Sequence, residues 1–154
     1  MKLTAFTDYS LRVLIYLAAQ PERRATIGEI AASFAVSEHH LTKVVHFLGK
    51  EGWLANVRGK GGGLALAKPP EAINVGDVVR QTEVGAFVEC FGDGGACRIT
   101  GICRLQGVLG EAVAAFHAVL HRYTLADLVH NREALSTVFL AGRIGMSQPE
   151  WRAP

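Results

Sequence analysis

With 154 residues, 49% of them apolar, and a formal charge of only +2, the chain can fill one hydrophobic core, and its total charge does not by itself identify a nucleic-acid ligand. The opening MKLTAFTDYS lacks the continuous apolar segment of a secretory leader, and no uninterrupted apolar run is long enough to cross a bilayer. The expectation is a cytoplasmic protein with no membrane partner.

Residues 7–19, TDYSLRVLIYLAA, are predicted as the first helix. Thr7 can cap it, Leu11, Leu14, Ile15 and Ala18 form one apolar stripe, and Pro21 closes it. After a polar ERR turn, residues 26–35 predict a short second helix. Thr26 stands at its start with Glu29 three residues on, the spacing of a capping box. Val36-Ser37 predicts a tight turn. Ser37 then opens a third helix, SEHHLTKVVHFLGKEG, that stops at Gly52. Leu41, Val44, Val45 and Leu48 face inward, and the other faces carry Glu38, His39, His40, Thr42, Lys43 and His46.

Residues 53–57 and 63–67 predict a hairpin whose tip, Arg58 to Gly62, is glycine-rich and basic. A fourth helix is predicted over 75–82. Residues 85–103 read as irregular, with five glycines and all three cysteines. A long helix follows from Arg104 to His121, striped by Leu105, Val108, Leu109, Ala112, Val113, Phe116 and Leu120. Such a stripe needs a cover, and a second copy of the chain is the economical one. Residues 124–129 predict a short helix with Thr124 as cap and Asp127 three residues on, and 141–154 a loose tail.

The fold class expected is therefore mostly α, a winged helix-turn-helix domain with a small β-hairpin wing and a long dimerisation helix. The division is 1–84 for DNA binding, 85–103 for a cysteine-bearing loop, 104–140 for dimerisation and the following helical segment, and 141–154 for the tail. Charge follows the same division. Residues 1–68 hold nine Lys or Arg against five Asp or Glu, and residues 69–154 hold seven against nine. The basic excess lies in the half with the helix-turn-helix pattern.

The first turns of a helix in the major groove reach base edges, which makes Ser37, His39, His40, Thr42 and Lys43 the candidate DNA-reading residues. Arg58 and Lys60 on the wing tip are placed to hold phosphates or enter a minor groove. A solvated helix face would also carry His39, His40 and Lys43, and GKGGG alone is a hairpin turn. The combination of the two is the specific signal. GKGGG is not a phosphate-binding P-loop, because no Ser or Thr follows Lys60. No paired carboxylates or nucleophile–base pair suggest an enzyme.

Cys90, Cys97 and Cys103 are spaced C-x6-C-x5-C. An odd number of cysteines in a chain of this kind argues against a disulfide framework, and the spacing lacks the close knuckle of structural zinc. Three thiolates in a glycine-rich loop suit an iron–sulfur cluster, a [4Fe–4S] cube or a [2Fe–2S] rhomb, either of which leaves one position for another ligand; the cube is the expectation adopted. A thiol redox switch is the competing reading.

The stretches MKLTAFTDYSLRVLIYLA, VRGKGGGLALAKP, INVGDVVR, ICRL and YTLADLV resemble the Rrf2 family of bacterial transcription regulators, to about residue 140. Within the family the likeness is greatest to the nitric-oxide-sensing repressors. The resemblance implies a homodimer with crossed long helices, binding a roughly palindromic double-stranded operator. It also implies a cluster on Cys90, Cys97 and Cys103 whose nitrosylation releases DNA. In some members an aspartate in the first helix of the other subunit supplies the fourth ligand, and the motif places it at Asp8. The first two cysteines stand further apart here than is usual in the family. The branch concerned with cluster biogenesis uses a histidine shortly after the third cysteine, where this chain has Gln106 and Gly107. An iron- or redox-responsive regulator using the same cysteines is the alternative.

Overall fold

The computed structural model describes residues 3–85, 91, 97–99 and 102–143. Helix α1 (Ala5–Ala19) runs through the centre of the domain, with α2 (Ile27–Phe34) and α3 (Glu38–Lys50) packed against it. Tyr16, Leu14, Ile30, Leu41 and Leu48 are all fully buried where they meet. Burying each of the four aliphatic side chains contributes about 1.5–3 kcal/mol. Strands β1 (Leu54–Val57) and β2 (Gly63–Leu66) form an antiparallel hairpin in the register Leu54–Leu66 to Val57–Gly63. Ala25 adds a one-residue third strand against Leu64. A 3-10 turn at Pro70–Ala72 leads to α4 (Val75–Thr82), and α5 (Arg104–Leu120), α6 (Leu125–Leu128) and α7 (Arg132–Arg143) complete the chain. No helix among the described residues is long and apolar enough to cross a membrane.

The expected winged helix-turn-helix is present, with three corrections at its margins. The cap of α1 is Thr4 rather than Thr7: the Thr7 amide donates to the Thr4 hydroxyl at 3.2 Å, and the helix starts two residues earlier than predicted. Thr7 is instead fully buried inside the first turn. The third helix runs over Glu38–Lys50, and Gly52, at φ 73°, turns the chain into the hairpin beyond it. The largest departure is α7, a separate twelve-residue helix where only a helical segment without bounds, ending by residue 140, was expected. Residues 141–143 of the expected tail continue α7, and 144–154 lie outside the described residues.

Helix α7 is a working part of the core. Phe139 is only 3% exposed and packs its ring against Tyr16 and Phe34, with centroids 4.9 and 5.3 Å apart. Two hydroxyls fasten the helix: Ser33 donates to the Phe139 carbonyl at 3.2 Å and Ser136 to the Ala19 carbonyl at 3.3 Å. Helix α5 is the opposite case, since none of its residues is buried. Leu105 and Val108 are 61% and 55% exposed.

The C-terminal end of α5 is tied to the start of α4 around Asn74. The Asn74 side-chain oxygen accepts from the Gly76 and Asp77 amides and caps α4, while its nitrogen donates to the His121 carbonyl at 2.8 Å. On either side, the Val75 amide donates to the Tyr123 carbonyl at 3.0 Å and the Leu125 amide to the Ile73 carbonyl at 2.8 Å. Gly76 permits the approach, because a Cβ there would lie 2.9 Å from the His121 nitrogen.

A second tie joins the end of α4 to the start of α1. The Thr4 amide and hydroxyl both donate to Glu83, at 2.7 and 3.1 Å. Desolvation pushes the Glu83 carboxyl upward, but hydrogen bonds from Thr7 and from the Thr4 amide and hydroxyl outweigh it and hold the carboxyl below its ordinary range. The unfolded chain therefore binds more protons in that window, so stability rises with pH through it. The contribution is complete above the unfolded-state value and fades as pH falls through the lowered folded one. Glu83→Gln is expected to lower the thermal midpoint at neutral pH, with the gap to wild type closing below the ordinary carboxylate range. A gap that persists unchanged into strong acid contradicts this account.

Candidate nucleic-acid interface and thiol site

The turn before the recognition helix is made by Ala35, which adopts a left-handed conformation at φ 52°. Its amide donates to the Ala32 carbonyl and the Val36 amide to that of Ala31, closing α2. Glu29 and Thr26 cap the other end of α2 in the expected reciprocal arrangement. With α2 stopped this way, α3 starts at once and buries Leu41, Val44, Val45 and Leu48. The 3.6-residue period then leaves Ser37, His39, His40, Thr42 and Lys43 exposed.

These five side chains are not equally free. Ser37 makes no side-chain capping bond, which leaves its hydroxyl available to an outside partner. Thr42 donates to the Glu38 carbonyl at 2.8 Å, so towards DNA its oxygen serves as an acceptor. His40 stacks on Tyr9 of α1, with ring centroids 6.3 Å apart and planes at 24°. That stacking orients the imidazole. Lys43 is exposed on the next turn and forms no ion pair among the described residues.

The wing is joined to α3 by a short, bonded turn: the Gly52 amide donates to the Gly49 carbonyl and the Trp53 amide to that of Leu48. Trp53 is buried against Phe47. Arg58 and Lys60 stand exposed on the tip, without ion pairs among the described residues. The tip is tight, since a Cβ on Gly62 would lie 2.3 Å from the Val57 carbonyl oxygen. Sequence reasoning missed one tip contact. Arg24, from the turn before α2, donates to the Gly61 carbonyl at 3.1 Å. Nothing local in ERR signals this, because the contact exists only once Ala25 pairs with Leu64.

The thiol site is described in part. Cys97 is exposed and Cys103 half-buried, both as free thiols; Cys90 lies outside the described residues. Cys103 occupies the N-cap position of α5 and makes no side-chain capping bond. Among the described residues, no three His, Cys, Asp or Glu side chains are gathered in a metal-binding group. Asp8 lies in the first turn of α1, partly exposed, with both oxygens held by Arg12 at 3.0 and 2.8 Å. Arg12 in turn lies over the Phe34 and Tyr9 rings, 5.7 and 6.0 Å from their centroids. A pair at i and i+4 is legible in a sequence, and here it competes with any ligand role for Asp8.

The model of the Rrf2 family, described as an iron-dependent transcriptional regulator, matches residues 3–131. The chain is 49% identical over 138 residues to the HTH-type transcriptional regulator NsrR of Shouchella clausii, covering 88% of this chain and 93% of that protein. It is 50% identical over 136 residues to NsrR of Bacillus subtilis, covering 86% and 93%. Among solved structures it is similar to IscR of T. potens, with a TM-score of 0.70 at 25% identity over 97% of this chain and 94% of that one.

Proposed function

Because the chain belongs to the Rrf2 family of transcriptional regulators, we propose that it is a homodimeric DNA-binding repressor whose hold on its operator depends on an iron–sulfur cluster responsive to nitric oxide. The observation that carries the DNA-binding part is the pairing of an exposed recognition helix with a basic wing on a bonded turn. Ser37, His39, His40, Thr42 and Lys43 read or hold one half-site, and Arg58 and Lys60 neutralise phosphates beside it. The unburied α5 supports dimerisation, with Leu105 and Val108 as the seam. A two-fold dimer places two recognition helices on a roughly palindromic operator.

The cluster and its signal rest on likeness to the NsrR proteins and on the donor set. The free thiols fit an iron–sulfur group, a [4Fe–4S] cube ahead of a [2Fe–2S] rhomb. They are soft ligands, and Cys103, at the N-cap of α5, makes no side-chain capping bond that would compete for its sulfur. Cys90, Cys97 and Cys103 would hold the group, with Asp8 of a second copy as the fourth ligand. When bound, such a cluster supplies iron that reacts with nitric oxide. Asp8 can take part only by giving up or sharing its Arg12 fork. The second reading, iron supply as the signal, is favoured by the family's description as iron-dependent.

The test is iron and sulfide analysis with visible spectroscopy of anaerobically purified protein, alongside operator binding before and after nitric oxide. Expected are about four irons per chain for a cube, a spectrum changed by nitric oxide, and DNA released with it. Protein that binds DNA identically after full nitrosylation, yet releases it on iron chelation, selects the iron reading. Absence of iron under strict anaerobiosis excludes both.

A further inference from the structure

Two adjacent arginines in the turn between α1 and α2 have different fates. Arg23 is paired with Glu29 and also donates to Gln20, so its charge is compensated inside the domain. Arg24 faces the wing. Its Nη1 donates to the Gly61 carbonyl across 37 residues of sequence. A neutral carbonyl takes the hydrogen bond but leaves the charge in place. Arg24 is exposed and, among the described residues, forms no ion pair. The wing tip therefore carries three uncompensated cations, Arg24, Arg58 and Lys60, of which only two belong to the hairpin.

The bond also bears on the shape of the tip. Gly61 sits at φ 77° in a stretch where Gly59, Gly61 and Gly62 offer no side chains for packing. Such a loop is costly to order on a ligand. Ala25 and Leu64 exchange two backbone hydrogen bonds, at 3.1 and 2.7 Å, which anchor β2, one residue from the tip, to the turn that carries Arg24. The Arg24 guanidinium repeats that anchorage at the tip. A guanidinium has five N–H donors in a planar fork suited to phosphate oxygens, and one of them is spent on Gly61.

We propose that Arg24 is a third DNA-contacting cation of the wing, seated on the Gly61 carbonyl so that it holds the tip in shape and presents its remaining donors to a backbone phosphate. The inference rests on the DNA-binding reading above and deepens it. Its ligand is the phosphodiester backbone of duplex DNA, so no particular operator sequence is needed to test it.

The experiment uses the full-length protein and a fluorescent 30-base-pair duplex of random sequence, with Kd measured across a series of salt concentrations for wild type, Arg24→Ala and Arg24→Lys. A dimer that loses one phosphate contact per subunit should show a log–log salt slope shallower by about two, and affinity at low salt lower by about tenfold. Arg24→Lys should regain most of the slope and only part of the affinity, since an ammonium keeps the charge but not the fork. An Arg24→Ala protein with the wild-type slope overturns the proposal, whether its affinity is unchanged or reduced, because a mere brace for the wing would not alter the number of counterions released. A wild-type protein that fails to bind the duplex at any salt overturns the DNA-binding reading itself, and this inference with it.

Discussion

The double substitution Arg58→Ala/Lys60→Ala is expected to weaken binding to duplex DNA about a hundredfold at low salt and to flatten the salt dependence by about four in a dimer. Both side chains are exposed on the wing tip, and neither is in an ion pair among the described residues. Their removal costs the fold little, because exposed positions without packing partners change stability by about 0.5 kcal/mol or less. The loss should be nearly the same for operator and random-sequence duplexes, since phosphate contacts hold register without reading bases. Lys43→Ala is the useful contrast. A recognition-helix residue that touches a base edge weakens operator binding more than random-duplex binding. Titration of both duplexes with both variants checks the assignment. A double wing variant that binds like wild type would remove the wing from the interface.

Phe139→Ala is expected to destabilise the protein by about 3–5 kcal/mol, a large share of the roughly 5–15 kcal/mol typical of a whole domain. The ring is buried between Tyr16 and Phe34, where deletion leaves a cavity that the surrounding helices cannot close without moving α7. At about 2–4 °C per kcal/mol for a chain of this size, the thermal midpoint should fall by about 10 °C. Phe139→Leu should recover much of that loss. DNA binding measured well below the midpoint should persist, since α7 contributes no residue to the recognition helix or the wing. A fall in stability below about 1 kcal/mol would mean that α7 is not docked as described.

These two outcomes draw on parts of the molecule that differed in how far the sequence disclosed them. The recognition helix was legible because one face carries Leu41, Val44, Val45 and Leu48 at helical spacing while the other is polar throughout. The wing was legible from two short apolar runs around RGKGG, and α4 from INVGDVVRQT. Thr26 and Glu29 announced the start of α2 by their spacing alone. The start of α1 misled because both Thr4 and Thr7 are reasonable caps. What decides between them is tertiary: Thr7 is buried, and the Thr4 amide and hydroxyl are held by Glu83, 79 positions away.

Helix α7 was expected only as part of a helical segment without bounds, for a related reason. Half of REALSTVFLAGR is apolar, but what docks it is one aromatic ring and two hydroxyl-to-carbonyl bonds to residues more than a hundred positions away. The Arg24–Gly61 bond is of the same kind. Asp8 shows the limit on the side of chemistry. Its place in the motif suggests a ligand, and the arginine four residues on, legible as a partner in the sequence, is shown by the geometry to hold both of its oxygens.

The double duty of Asn74 bears on how a signal could travel. One amide side chain clasps the start of α4 and the end of α5 together, and the backbone bonds on either side leave that joint little room to flex. Helix α5, with 17 residues, is about 25 Å long. If two such helices cross in a dimer, it works as the arm of a pair of callipers with Asn74 as the rivet. A change of about 5° in the crossing angle then displaces the far end by about 2 Å. A slack rivet would absorb that movement, whereas this one passes it to the domain that holds the recognition helix.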